Sequence, residues 1–257
     1  MIDFHSHVLP YIDDGSKSFD MSIDMLRLAV DEGTEYICAT SHFIPGEVVQ
    51  DKKLYYEKLE NLQTLCKTKE IDIKILPALE LYMHPDLPKL YSEKKVWGIN
   101  LTPYILVELP MQQFPVYTED IFYELRLQGA RPILAHPERN LRIMKDVSLL
   151  ENLVDQGILA QVNAGSLRGI YGKDIKAFAE HLVERNLIHL IGSDAHDDTR
   201  RTTKIESAFE VVKRKNDELY EWINENQYKI IEGKEVEPLH VKKNKKKFGF
   251  FGLFKTS

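Results

Sequence analysis

Cysteine is scarce: Cys38 and Cys66 are the two thiols in 257 residues. They supply no disulfide framework and no cysteine-based metal cage. Both fall in apolar stretches, where buried structural thiols are expected. No apolar run is long enough to span a bilayer. The N-terminus also lacks the basic start and apolar stretch of a secretory signal, so a cytoplasmic location is expected. There is no GxxxxGK[ST] phosphate loop and no repeat of the solenoid kind. Nor is positive charge abundant over most of the chain. The net charge is −6, yet residues 241–257, VKKNKKKFGFFGLFKTS, hold lysines and no acid. The rest therefore carries about −12. An acidic body argues against sequence-independent nucleic-acid binding over the main surface.

What is present is a chain that is 43% hydrophobic, with length enough for one large domain. Short apolar or β-branched runs alternate with longer stretches of helical spacing. Strands are expected at 2–8, 36–40, 72–79, 104–109, 132–136, 158–163 and 187–194. Helices are expected at 18–32, 51–68, 118–128, 146–156, 173–186 and 203–226. A weaker candidate lies at 84–97, interrupted by Pro85 and Pro88. Seven strands separated by crossover-length segments imply βα repeats around a parallel sheet. An open doubly wound sheet fits that alternation, but a closed barrel fits the placement of polar residues better.

In α/β barrels the reactive groups sit at the carboxyl ends of the strands. The first strand carries His5 and His7, with Asp14 in the loop after it. The second leads to His42 in CATSHF, the third to Glu80 in ILPALE and the fourth to Glu108 in YILVELP. The fifth ends at His136 in ILAHPER, and the seventh at Asp194 and His196 in IGSDAH. The sixth, QVNAGS, brings amide and hydroxyl groups instead. Each residue alone is unremarkable, and His84, His181, His189 and His240 are assigned structural roles. Together, however, nine such groups at one rim would repel one another or lack partners without cations. Residues i and i+2 of a strand share a face, so His5 and His7 can grip one ion. Imidazoles mixed with carboxylates suit zinc, manganese or iron and exclude soft thiolate sites. Nine ligands exceed one ion's needs, and two or three ions with a bridging carboxylate are expected.

The set HSH, TSH, AHPER, QVNAGSL and GSDAH, with the opening MIDFHSHVLPYIDDG, resembles the PHP (polymerase and histidinol phosphatase) superfamily. More narrowly, it is similar to the bacterial manganese-dependent protein tyrosine phosphatases of the CpsB/YwqE type, over about residues 1–235. The resemblance implies a distorted seven-stranded (β/α)7 TIM-like barrel, the PHP fold, over residues 1–240, followed by a basic-aromatic tail at 241–257. It implies a trinuclear centre. His5, His7, Glu80 and Asp194 would hold one ion, with Glu80 bridging to a second completed by Glu108 and His136. Asp14, His42 and His196 would hold a third. Asp14 and Glu108 stand where many PHP members have histidines, which favours harder ions such as Mn2+. The phosphate-binding arginines would be Arg139 and either Arg201 or its neighbour Arg200.

The implied reaction is phosphomonoester hydrolysis by a metal-bridging hydroxide, with a metal-bound water or His42 supplying any proton to the leaving group. The implied substrate is the phosphotyrosine-bearing tail of a bacterial tyrosine kinase that controls capsule or exopolysaccharide synthesis. A small-molecule phosphatase of the histidinol-phosphate type on the same site is the alternative, and a metal-stabilised scaffold at a membrane complex is a third. A cysteine phosphatase is rejected, because the arginine it needs six residues after the thiol is Ile44 after Cys38 and Asp72 after Cys66. In the tail, Lys242, Lys243, Lys245, Lys246 and Lys247 precede Phe248, Phe250, Phe251, Leu253 and Phe254, the composition of a peripheral membrane anchor. Residues 43–56 are read as a loop over the rim. In the opening stretch, Ile2 and Phe4 are expected on the packed face and the histidines on the other. Asp3 is expected to be structural or to support the site from behind, and Asp13 to be a turn residue.

Overall fold

A computed structural model describes residues 1–243. The seven strands are β1 (Ile2–Ser6), β2 (Tyr36–Phe43), β3 (Lys74–Tyr82), β4 (Tyr104–Glu108), β5 (Arg131–Ala135), β6 (Leu159–Asn163) and β7 (Leu190–Gly192). All pair in parallel and in sequence order, β1 to β7. Beside the carboxyl rim β7 returns to β1. The His7 N–H donates to Ala195 O at 2.9 Å and the Asp194 N–H to His5 O at 2.7 Å. The sheet is thus a nearly closed barrel.

The connecting helices are α1 (Phe19–Asp31), α2 (Lys52–Thr68), α3 (Leu87–Ser92), α4 (Thr118–Leu127), α5 (Leu141–Lys145), α6 (Ser148–Asp155), α7 (Ala164–Arg168), α8 (Lys173–Glu184), α9 (Glu206–Lys215) and α10 (Asp217–Ile231). Capping side chains start several of them: Ser18 Oγ accepts from the Met21 N–H, and Asp51 Oδ1 from the Leu54 N–H. The expected single helix over 203–226 is in fact two. Asn216 breaks it with an extended backbone (φ −157°). Its Nδ2 donates to Val183 O and Asn186 Oδ1, while its Oδ1 accepts from the Leu219 N–H. A buried asparagine with that many partners competes with the helical backbone.

Alternate strand positions serve two cores. One set (Ile37, Ala39, Leu79, Ile105, Val107, Ala160, Val162) packs against the surrounding helices. The other (Ile2, Phe4, Cys38, Leu76, Ala78, Leu106, Ile133, Leu159) fills the interior with Ile230 and Ile231 of α10. Cys38 and Cys66 are free and buried, as expected. The interior set continues, two residues further along each strand, into Glu80, Glu108 and Gln161. An apolar plug therefore underlies a polar rim. On β1 the simple alternation fails. Its register against β2 shifts between Asp3 and Ser6, so Phe4 joins the interior plug while the His5 ring also reaches the interior polar layer. The bulge corrects the expectation that the two face opposite sides.

Residues 43–56 are only partly loop, because β2 runs through Phe43 and α2 begins at Lys52. No helix among the described residues is long and apolar enough to cross a membrane. Most of the 241–257 tail lies outside the described residues. The last described segment is pinned where α8 leads into β7. There Arg185 Nε donates to Lys242 O, and Asn186 Nδ2 to His240 O. That is the amino-terminal end of the barrel, opposite the polar rim.

Candidate metal centre

All nine ligand-type residues expected from the strand ends come together at the carboxyl rim. The backbone pays for this in two places. His136 after β5 (φ 30°) and Asp194 after β7 (φ 52°) adopt left-handed conformations, which side chains other than glycine's tolerate poorly and which concentrate at functional sites. Gly192 is needed for a different reason: a Cβ there would lie 2.4 Å from His5 Cβ. Its absence lets β7 close on β1 and brings Asp194 beside His5.

Glu80 is the hub. Its Oε2 lies 2.9 Å from His42 Nδ1, 3.2 Å from His5 Nε2 and 3.3 Å from His7 Nε2. Even so, this buried oxygen has no partner in hydrogen-bonding geometry. Its Oε1 lies 3.0 Å from His136 Nε2, which in turn lies 3.6 Å from Glu108 Oε1. His5 and His7 present their Nε2 atoms to each other at 3.3 Å. Asp14 Oδ1 sits 3.4 Å from His42 Nε2 and 3.3 Å from His196 Nε2. Asp194 Oδ1 is 3.7 Å from both His5 Nε2 and His7 Nε2. Three groups have ligand atoms within 4.8 Å of one another: His7, Asp14, His42 and His196; His5, His7 and Glu80; and His42, Glu80 and Glu108. A carboxylate oxygen facing three imidazole nitrogens with no hydrogen bond, and nitrogens facing each other, is the donor arrangement that divalent cations satisfy. The residues present therefore fit borderline or hard ions.

The charges are strongly coupled. Burial pulls the His7 pKa down, but Asp13 and Glu80 outweigh it and raise it to about 10. Burial is likewise overcome at His42, raised to about 11 by Asp14 and Glu80, and at His136, raised to about 9 by Glu80 and Glu108. His196 goes the other way, lowered by burial and by His7. Burial would raise Glu80, yet His5, His136 and His42 hold it well below the usual range. Glu108 is raised by burial and by Glu80. Without cations His7, His42 and His136 thus keep their protons, and metal must displace them.

Both arginines meet at Asp194. Arg139 Nη1 contacts its Oδ2 at 2.9 Å, and Arg201 Nη2 its Oδ1 at 2.7 Å. Arg200 is exposed, which settles which of the neighbours points inward.

Several supporting residues escaped the sequence reading. Asp13 is more than a turn residue: its Oδ2 lies 2.8 Å from His7 Nδ1 and accepts from the His42 N–H at 3.0 Å. It fixes the His7 ring with Nε2 toward Glu80. From β6, Gln161 Oε1 lies 3.0 Å from His5 Nδ1, and Gln161 Nε2 donates to Asn163 Oδ1 at 3.0 Å. Asn163 Nδ2 then donates to Asp194 Oδ2 at 2.7 Å. The one strand without ionisable ends therefore orients His5 and Asp194 on two others. Glu138 accepts from the Asn163 N–H and the Ser166 hydroxyl, which ties the HPER turn to the start of α7. The Arg139 guanidinium stacks over the Tyr171 ring at 4.5 Å. Asp3 is buried as expected and accepts from the Ser193 and His5 N–H groups. Burial is the largest influence on it and raises its pKa to about 6. The residues assigned structural roles include His189, whose Nδ1 accepts from the Ala160 N–H.

Fold and site together define a parallel α/β barrel with a cluster able to hold several cations at its carboxyl rim. Residues 1–232 match the family model for "Capsular polysaccharide synthesis, CpsB/CapC", and the chain belongs to that family. It is 37% identical to tyrosine-protein phosphatase YwqE of Bacillus subtilis over 98% of this chain and 100% of that protein. It is 26% identical to tyrosine-protein phosphatase CpsB of Streptococcus pneumoniae over 84% of this chain and 90% of that protein. Among solved structures, one from work on YwqE and CpsB as metal-dependent tyrosine phosphatases superposes with a TM-score of 0.91 at 35% identity. The superposition covers 96% of this chain and 100% of that one. The fold extends to histidinol phosphate phosphatase of Lactococcus lactis, with a TM-score of 0.56 at 16% identity over 84% and 93% of the two chains.

Proposed function

We propose that this protein is a metal-dependent protein tyrosine phosphatase. Its ligands are His5, His7, Asp14, His42, Glu80, Glu108, His136, Asp194 and His196. The observation that carries the reading is the Glu80 hub, a buried carboxylate oxygen that faces three imidazole nitrogens at 2.9, 3.2 and 3.3 Å with no partner in hydrogen-bonding geometry. When bound, divalent ions supply a hydroxide nucleophile near neutral pH and offset the phosphate charge. Mn2+ is the proposed ion, since carboxylates at 14 and 108 favour hard cations.

The protein's own groups do the rest. Arg139 and Arg201 bracket Asp194 from two loops and can hold equatorial phosphate oxygens in bidentate fashion. Tyr171 beneath Arg139 keeps that guanidinium from swinging away. A phenolate with a pKa near 10 departs with little protonation. Of the site imidazoles, His42 is the most exposed, at 22%, and is the one proposed to supply any proton to the leaving group.

The proposed protein substrate is the phosphotyrosine-bearing tail of a kinase that controls capsule synthesis, in keeping with the family and the relatives' names. A cytoplasmic setting follows from such a substrate. Peripheral membrane contact through 241–257 rests on the sequence of the tail alone. The test is turnover of a phosphotyrosine peptide with Mn2+, against histidinol phosphate as the comparison substrate. Turnover should stop on chelation and in His136→Ala. Full turnover after metal removal, or a preference for histidinol phosphate, would overturn the reading.

A further inference from the structure

Beside the cluster, on the same rim, the loop after β4 forms an open depression of about 430 Å³ whose lining includes Pro110, Phe114, Pro115, Val116, Tyr117 and Arg142. No carboxylate lines it, although the body of the protein is acidic. Arg142 is exposed, and its guanidinium makes no ion pair among the described residues. Val116 is 99% exposed, and Leu141, next to Arg142, is 46% exposed, so apolar side chains are accessible at the edge of the pocket.

The pocket is also preorganised. Asn140 Nδ2 donates to Pro110 O at 2.9 Å and Gln113 O at 2.8 Å, while its Oδ1 accepts from the Arg142 and Ile143 N–H groups. One side chain thus clamps the β4 loop to the first turn of α5. That turn directly follows Arg139, which enters the metal centre. The walls suit a flat apolar ring, and the unpaired guanidinium at the edge suits an anion.

We propose that this pocket is a docking subsite for a second phosphotyrosine on the same peptide as the one being hydrolysed. It rests on the phosphatase reading above and adds a preference for multiply phosphorylated segments. The ring would lie against Phe114, Tyr117 and the prolines, with its phosphate on Arg142.

The test uses the full-length, metal-loaded protein and three substrates. They are p-nitrophenyl phosphate, a singly phosphorylated peptide, and the same peptide carrying a non-hydrolysable phosphonate analogue of phosphotyrosine at several spacings from the scissile one. The analogue should raise kcat/KM about fivefold at a favoured spacing, the scale of one exposed charged pair. Arg142→Ala and Val116→Glu, both at exposed positions, should abolish that gain and leave p-nitrophenyl phosphate turnover unchanged. No gain at any spacing, a gain that survives both variants, or an equal gain from glutamate at the second position would overturn the proposal. If the unaltered protein turns over none of the three substrates, the phosphatase reading itself fails, and the subsite with it.

Discussion

Replacing Gln161 with leucine removes the acceptor that faces His5 Nδ1 at 3.0 Å and the donor to Asn163 Oδ1 at 3.0 Å. Gln161 and His5 are both fully buried, so water does not step in. Two outcomes are open to His5. If it keeps its Nδ1 proton, a buried donor is left unsatisfied, at a cost of about 1–3 kcal/mol. If the proton moves to Nε2, the nitrogen 3.2 Å from Glu80 Oε2 becomes a donor and stops being a ligand. Either way the penalty falls on metal binding. Loss of a group that orients a ligand histidine typically costs about 10–100-fold in metal affinity. Gln161→Leu should therefore weaken Mn2+ binding by that factor, measured by competition with a chelator, and saturating metal should recover much of the turnover. Gln161→Glu keeps an acceptor for His5 and should fall between the two. Wild-type metal affinity in a folded Gln161→Leu protein would refute the claim that β6 aligns the ligand on β1.

Three further outcomes are expected. Arg201→Ala should raise KM for phosphopeptides by about tenfold or more through loss of a charged contact, whereas Arg200→Ala should leave KM near wild type; equal effects would undo the assignment to Arg201. Burial lowers the His189 pKa to about 3, so the unfolded chain binds the extra proton between there and its ordinary value, and stability falls as pH drops through that window. Metal-free protein should lose about 2 kcal/mol from this residue between pH 7 and pH 5, and His189→Gln should melt with a visibly flatter pH dependence; parallel pH curves would contradict it. Deleting 244–257 should leave peptide turnover intact, because residues 240–242 are held at the barrel end opposite the cluster, but should weaken binding to anionic vesicles; equal vesicle binding by both forms would remove the membrane reading of the tail.

Much of the architecture was legible because the strands are short, apolar and regularly spaced. All seven appear within a few residues of their expected positions. The ligand-type residues were legible for a related reason: ionisable groups that end apolar strands have no cheap structural role. What escaped the sequence was geometry set by single polar contacts. The bulge in β1 has no local signature, so alternation wrongly put Phe4 and His5 on opposite sides. Asn216 reads as an ordinary helical surface residue until its bonds to Val183 on α8 and to Asn186 just beyond it are visible. Asp13 looked like a turn residue because an Asp-Asp-Gly run usually is one, yet its second oxygen holds His7. Gln161 and Asn163 carry no charge and so gave no signal, although the spacing of two on one strand face could have linked them to the site. Which of the two neighbouring arginines turns toward Asp194 was a one-residue question about a loop that the spacing did not answer.

The central claim is that the Glu80 cluster holds cations needed for phosphotyrosine hydrolysis. The most direct measurement combines elemental analysis of the purified protein with peptide turnover before and after chelation. About two to three divalent ions per chain are expected, with loss of both metal and turnover on chelation and return of turnover with Mn2+. A protein that hydrolyses phosphotyrosine at an undiminished rate with no bound metal would contradict it.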